Sequence, residues 1–243
     1  MSLVAKRSLL GKMEKLSKEP YTNFDVVNTY EDRYIHHPKV NKEISFEISL
    51  VETYMLGKKS WCDVACGTAH HLRKAKGDFS RTGLDRSDMM MSKHKEDTTY
   101  SIKYLLADML THVPKTQYDL VTNFWFGYSH QNTLHQVLEF FNKMIEFTKQ
   151  GGSIILSYHN QWNIFDKIPL HTKEPMGGTF NFEAMIWSYD EPDVPDSTYN
   201  CIVPHKELII KTFEPYFKSF TILHYPVNPE AGGKEMLLLE GKY

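Results

Sequence analysis

The chain has 243 residues, enough for one domain with room for an insertion. Its apolar fraction of 41%, charged fraction of 24% and net charge of −2 are typical of a globular protein and give no general attraction to nucleic acid or anionic membrane. No apolar run reaches the roughly 20 residues that span a bilayer, and no secretion signal is visible, so we expect a cytoplasmic protein. Three cysteines do not make a disulfide framework.

Two helices are predicted before the first strand. Apolar residues at helical spacing indicate one helix over residues 4–18, which ends before Pro20, and another over residues 40–56, which ends at Gly57. An aromatic-rich segment connects them. We expect residues 1–56 to form a helical cap in front of a core at residues 57–243.

Strands and helices alternate through the core, which favours a parallel sheet with helices on both faces. Strands are predicted at residues 60–65, 80–85, 101–106, 118–124 and 153–158, and helices at residues 69–76, 87–95 and 132–149. A helix from Pro204 to about Phe217 and strands at residues 219–225 and 234–241 close the chain.

Residues 161–203 form an insertion that is rich in proline and glycine, with a strand-like stretch at 179–189. A segment after the fifth strand begins at the carboxyl end of the sheet, beside the crevice where α/β proteins bind ligands. Both a substrate-binding flap and a purely structural hairpin fit this position.

The most informative stretch is residues 61–72, in which an apolar strand carrying Asp63 runs into a tight turn at Gly67. Glycine has no Cβ, so the chain can turn sharply there and a ligand can come close. The next strand ends in Asp85, roughly 20 residues beyond the turn, where an acid commonly binds ribose hydroxyls. The G-x-G-x-x-G pattern that holds a dinucleotide is absent, whereas S-adenosylmethionine needs an acid for its ammonium, an open turn and an acid for its ribose.

In these residues the chain resembles the class I S-adenosylmethionine-dependent methyltransferases, nearest to small-molecule, sugar amine-type N-methyltransferases. The family pattern is (D/E)-x-G-x-G-x-G, and this chain reads Asp63-Val-Ala65-Cys-Gly67-Thr-Ala69, with alanine in place of two glycines. The resemblance covers roughly residues 40–243. It implies an α/β fold with a doubly wound, seven-stranded, mostly parallel sheet whose last strand is antiparallel, and S-adenosyl-L-methionine as cofactor.

The resemblance also implies a set of cofactor-binding residues at the strand ends. Asp108 is expected to accept a hydrogen bond from the adenine amino group, and Arg86 and Met109 are expected to pack on the adenine faces. The complete expected set is Asp63, Ala65, Gly67, Asp85, Arg86, Asp108, Met109, Asn123 and Phe124.

The end of the fourth strand and the N-terminal aromatic segment are expected to face the methyl acceptor. Trp125, Tyr128, Tyr21 and Tyr34 are the candidate substrate-binding residues. His130 is the first candidate for a general base, because an unperturbed imidazole accepts a proton at neutral pH, and His159 is the second. Cys62, Cys66, His70 and His71 lack a second ligand pair nearby, so no metal site is expected.

These observations favour methyl transfer to a nitrogen or oxygen of a small polar metabolite, with no nucleic-acid or membrane partner. The fourth strand lacks the N/D-P-P-Y/F signature of enzymes that methylate DNA bases or glutamine. Methylation of a protein or RNA, and a cofactor-binding protein without catalysis, stay open as alternatives. The sequence identifies neither the acceptor nor the oligomeric state.

Overall fold

The structure is a computed structural model, and it describes residues 20–93, 99–160, 178–181, 186–190, 198–226 and 234–243. The helix predicted over residues 4–18 lies outside these ranges, as does most of the segment 161–197. No helix in the described ranges is long and apolar enough to cross a membrane.

The N-terminal part holds more helix than its pattern predicts. A 3-10 turn at Pro20–Thr22 leads to helix α1, Phe24–Tyr30, and to a π-helical turn at Glu31–Ile35. Asn23 begins α1 by accepting from the backbone N–H of Asp25 at 2.9 Å, as an N-cap residue does. Helix α2, Pro38–Tyr54, then starts with proline at its first position, where no N–H is needed.

A seven-stranded sheet forms the centre of the molecule. Its strands are β1 Ser60–Val64, β2 Ser80–Asp85, β3 Ile102–Leu106, β4 Tyr118–Asn123, β5 Thr148–His159, β9 Phe217–His224 and β10 Lys234–Lys242. Their spatial order is β3-β2-β1-β4-β5-β10-β9. The pairings among β1 to β5 are parallel, and β10 pairs antiparallel with both β5 and β9. The predicted doubly wound sheet with an antiparallel last strand is therefore confirmed.

The connecting helices lie where they are predicted but are shorter. They are α3 His70–Lys74, α4 Asp88–Ser92, α5 Leu134–Phe147 and α6 Lys206–Phe213, which continues as a 3-10 turn at Glu214–Tyr216. Strand β5 begins at Thr148, ahead of the predicted turn at Gly151, and its register against β4 shifts there.

Alternate residues of the strands face two apolar layers, as a sheet covered on both sides requires. Cys62, Val121 and Ile154 pack with α5 and α6 in one layer. Trp61, Leu120 and Ile155 pack with the end of α2 in the other, which continues into α3. Helix α2 thus covers one face of the sheet.

The insertion forms a second, antiparallel sheet with the order β6-β7-β8. The strands are β6 Gly178–Asn181, β7 Ile186–Asp190 and β8 Thr198–Ile202. The predicted strand-like stretch at 179–189 is accordingly two strands, and β8 was not predicted. Residues of β8 lie beside the turn that follows β4, with the Cys201 Sγ atom 3.9 Å from His130 Nδ1.

Candidate functional site

An open cavity lies at the carboxyl ends of β1, β2, β3 and β4, and its free space, including the solvent at its mouth, is about 990 Å³. This is where the strand order reverses between β1 and its neighbours β2 and β4, the position at which open α/β sheets bind ligands. Residues from four separate strand ends therefore meet in one cavity. The predicted site residues that line it are Tyr21, Asp63, Ala65, Gly67, Asp85, Arg86, Asp108, Met109, Phe124, Trp125 and His130.

The turn after β1 keeps a glycine-like backbone although two of its three glycine positions are alanine. Ala65, Gly67 and Ala69 have φ angles of +52°, +55° and +55°. Such angles cost a residue with a Cβ about 1–2 kcal/mol. A Cβ on Gly67 would lie 3.1 Å from the Met90 Cε atom, so the flexible end of that side chain would have to move by a few tenths of an ångström. The loop forms a cradle against which a ligand can approach the backbone.

Asp63 lies at the end of β1 and is almost fully buried at the wall of the cavity. Its Oδ1 accepts from the Thr122 hydroxyl at 2.6 Å. Burial raises the pKa of Asp63 to about 7, and His71 and the Thr122 hydrogen bond limit that rise. The Asp63 carboxyl group would therefore become the counterion of a cationic group in the cavity when it loses its proton.

Asp85 links the end of β2 to the glycine turn. Its Oδ2 accepts from the Gly67 backbone N–H at 2.7 Å and its Oδ1 from the Ser87 N–H at 2.8 Å. Burial raises the pKa of Asp85, although these two hydrogen bonds oppose the rise. The carboxylate is fixed in orientation and retains lone pairs for the two hydroxyls of a ribose.

Asp108 and Met109 follow β3 and form the next part of the wall. Asp108 Oδ1 accepts from the Leu110 N–H at 2.8 Å, so the carboxylate also caps its own turn. Arg86 Nη2 donates to the His130 carbonyl at 3.1 Å and ties β2 to the turn after β4. These positions suit an adenine ring and its amino group, as the family resemblance implies.

The turn after β4 is strained and packs closely on the turn after β1. Trp125 and Phe126 both have φ of +60°, which is rare for bulky residues and is found mainly at functional sites. Gly127 follows, and a Cβ on it would lie 2.4 Å from the Cβ of Ala65. The two loops that bound the cavity are therefore in direct contact.

His130 and Tyr21 close the cavity on the side of the N-terminal segment. The Tyr21 hydroxyl lies 3.4 Å from His130 Nε2, and the two rings meet edge to face at 5.1 Å. Burial and the charge of Arg86 lower the pKa of His130 to about 4, so its imidazole is neutral at pH 7. A series of ring contacts continues from Tyr21 to Tyr30, from Tyr30 to Tyr34 and from Tyr34 to Trp125, with centroid distances of 5.9, 5.2 and 6.2 Å.

Four predicted site residues lie away from the cavity surface. Asn123 is buried and donates from Nδ2 to the Val64 carbonyl at 2.7 Å, which joins β4 to β1. Tyr128 packs on Phe141 in the core, and Tyr34 packs against the cavity-lining residues Tyr30 and Trp125. His159 is buried and stacks on Phe126 with ring centroids 3.7 Å apart.

Comparison with known proteins agrees with this geometry. Residues 62–152 match the family model described as a methyltransferase domain, which covers β1 through the first part of β5. The chain therefore contains a methyltransferase domain within residues 62–152. A sequence search of curated proteins finds no match to the chain.

Solved structures share the fold of this chain at low identity. The PH0226 protein of Pyrococcus horikoshii is 18% identical, with a TM-score of 0.69 over 93% of this chain and 99% of its own. An S-adenosylmethionine-dependent methyltransferase of Clostridium acetobutylicum is 14% identical, with a TM-score of 0.63 over 90% and 99%. CalS10 of Micromonospora echinaspora, an amino pentose methyltransferase described with S-adenosylmethionine bound, is 14% identical, with a TM-score of 0.55 over 81% and 90%.

The cavity also contains residues that the sequence did not indicate. Tyr30 belongs to α1, whose short apolar pattern gave little signal. His71 lacks a second ligand pair nearby in sequence and is not expected to bind a metal, but its side chain lines the cavity. Further unassigned lining residues are Ile35, Cys66, Thr68, His70, Leu84, Ser87, Met90, Ala107, Gly127, Gln131 and Phe140. The described residues contain no group of three or more side chains suited to a metal ion.

Proposed function

We propose that this methyltransferase transfers a methyl group from S-adenosylmethionine to a nitrogen of a small polar metabolite that carries an amine. One observation carries the proposal: Asp63, Asp85 and Asp108, at successive strand ends, line one cavity together with Tyr21 and His130, whose side chains contact each other. The aromatic side chains in this part of the wall suit a small acceptor. The amino pentose methyltransferase among the similar structures supports nitrogen as the accepting atom.

The residues present fit the cofactor. The left-handed turn at Gly67 leaves space that a Cβ would fill, and Asp85 is held in place by two backbone donors. Asp63 would face the ammonium, Asp85 the ribose, and Asp108 with Met109 the adenine. When bound, S-adenosylmethionine supplies a methyl group already activated by its sulfonium, so the protein chiefly has to orient the nucleophile and exclude water.

The chain's own residues would hold the acceptor's neutral amine with its lone pair toward the methyl group that the bound cofactor supplies. His130 and Tyr21 would hold the amine by hydrogen bonds. With a pKa near 4, His130 is too weak a base to accept a proton from the methylated amine, so we assign His130 to orienting the lone pair of the amine. Trp125 would form the apolar wall beside the methyl group.

Two measurements test the proposal in order. Titration calorimetry with S-adenosylhomocysteine should show one site per chain, and saturating ligand should raise the melting temperature, because a ligand that binds the native state stabilises it. Transfer of labelled methyl from S-adenosylmethionine should then be assayed on panels of amines, alcohols, proteins and RNA. Cofactor binding with transfer confined to proteins or RNA, or with no transfer at all, would replace the small-amine assignment by one of those alternatives.

A further inference from the structure

A buried carboxylate behind the cavity collects three hydrogen-bond donors from three parts of the chain. Glu47, on α2, is only 1% exposed. Its Oε2 accepts from His71 Nε2 at 2.7 Å and from the Trp125 indole at 2.9 Å, and its Oε1 accepts from the Tyr225 hydroxyl. Burial of an ionised carboxylate requires such compensation, and here two of the donors, His71 and Trp125, line the cavity.

The contacts of His71 fix both the direction and the tautomer of its ring. The Glu47 carboxylate is an acceptor, so the proton in their shared hydrogen bond belongs to His71 Nε2. The ring stacks on Phe124 at 4.6 Å with an interplanar angle of 24°, which holds its plane. Within the described part of the chain, Nδ1 has no hydrogen-bond partner, and the side chain borders the cavity.

The surroundings of His71 favour its charged form. Burial alone would lower the pKa of His71, but the hydrogen bond and charge of Glu47, together with the charge of Asp63, outweigh burial and raise it. The charged ring carries N–H on both nitrogens, so Nδ1 becomes a charge-assisted donor toward the cavity. Neighbouring His70 differs, because burial and the charge of His71 lower its pKa to about 3.

We infer that His71 binds the α-carboxylate of the cofactor's amino-acid group, and that Glu47 is the positioning residue that keeps His71 oriented and charged. Asp63 at the same end of the cavity would take the α-ammonium, so a zwitterion would meet two groups of matching opposite charge. The inference rests on the proposed function, since it names the protein group that recognises one end of the proposed cofactor.

Two ligands separate this contact from the rest of the cofactor. S-adenosylhomocysteine carries the α-carboxylate and α-ammonium, whereas 5′-methylthioadenosine has the same nucleoside thioether without either group. Calorimetric titration of both should be made on the wild-type protein and on the variants His71→Gln and Glu47→Gln. His70→Gln is the matched control, because it changes the same residue type at the adjacent, cavity-lining position.

His71→Gln should lower the affinity for S-adenosylhomocysteine about 10- to 100-fold, as expected for loss of a charge-assisted hydrogen bond. The affinity for 5′-methylthioadenosine should stay within about twofold of that of the wild type. Glu47→Gln should also weaken the binding of S-adenosylhomocysteine relative to that of 5′-methylthioadenosine, while His70→Gln should leave the ratio of the two affinities unchanged. A purely structural role would lower both affinities together. Equal losses for the two ligands, or a loss confined to His70→Gln, would overturn the assignment.

The wild-type protein provides a test that needs no variant to fold. Decarboxylated S-adenosylhomocysteine, which keeps the ammonium, should bind about 10- to 100-fold more weakly than S-adenosylhomocysteine. Equal affinity of the two would contradict a carboxylate contact. If the wild type binds none of the nucleoside thioethers, the proposed function itself fails, which is a different result from the loss of discrimination between them.

Discussion

The contact between the two loops of the cavity can be tested by adding one methyl group. Gly127→Ala places a Cβ 2.4 Å from the Cβ of Ala65 and 3.0 Å from Nδ2 of Asn123. Carbon atoms in contact prefer about 3.5–4.0 Å, so the loops must separate by roughly 1 Å. The φ angle of Gly127 lies outside the glycine-favouring region, so the cost is steric, and overpacking of this kind costs about 1–3 kcal/mol.

A second substitution, at Ala65, should recover part of the stability that Gly127→Ala removes. Ala65→Gly removes the Cβ at 2.4 Å and relieves a φ of +52°, while the more flexible unfolded chain offsets part of the gain. Alone, the change should alter the free energy of unfolding by less than about 1 kcal/mol. Combined with Gly127→Ala, it should recover at least about 1 kcal/mol, although the contact with Asn123 keeps the rescue incomplete.

Urea unfolding of the wild type, both single variants and the double variant measures this coupling. Gly151→Ala is the control, because its φ of +74° is strained for alanine but nothing lies within 4 Å of the added Cβ. Its cost should be unaffected by Ala65→Gly. If the Gly127 and Ala65 effects add within about 0.5 kcal/mol, the two loops are not in the contact described.

Further predictions concern Asp85, Asp63 and His130, which line the cavity. Asp85→Ala should weaken S-adenosylhomocysteine by about 1.5–3 kcal/mol, and unchanged affinity in a folded variant would leave Asp85 a structural role alone. Because the pKa of Asp63 is about 7 rather than 3.8, the folded state keeps a proton between pH 4 and 7 that the unfolded state releases. The contribution of Asp63 to the free energy of unfolding should therefore fall as the pH rises from 4 to 7. Cofactor binding near pH 6 should release that proton, and calorimetry in buffers of different ionisation enthalpy should show the release in the wild type and its loss in Asp63→Asn. With a pKa of about 4, His130 should add no titration step near pH 6.5 to the pH dependence of the rate. His130→Ala should lower turnover about 10²-fold or less and leave cofactor affinity nearly unchanged. A titration step near pH 6.5 that disappears in the variant would show that His130 is a base after all.

The sheet was predictable because its signals are local. Each core strand is a short apolar run between turn residues, and each helix that follows repeats apolar residues at its own period. The boundaries moved by a few residues where local geometry decides them, as at β5, whose ladder begins ahead of Gly151. The π-helical turn at Glu31–Ile35 has no comparable signal, because its sequence is not apolar on one face.

The meeting of the strand-end residues in one cavity was predictable for a related reason. Asp63, Gly67, Asp85 and Asp108 each stand at a strand end, and parallel strands bring their carboxyl ends to one edge. The buried network was not predictable, because its members are far apart in sequence. Glu47 reaches His71 across 24 residues and Tyr225 across 178, and no short pattern records such a contact.

The alanines of the first motif show how the fold itself can impose a glycine-like turn. Ala65 and Ala69 are left-handed in a loop whose middle is tied to the end of β2: the Cys66 N–H donates to the Leu84 carbonyl at 3.1 Å, and the Gly67 N–H donates to the Asp85 carboxylate. Both bonds are made just beyond the point where β1 pairs with β2. Counting glycines therefore understates the likeness of this turn to a cofactor loop, since the sheet geometry, not glycine alone, fixes the backbone that faces the ligand.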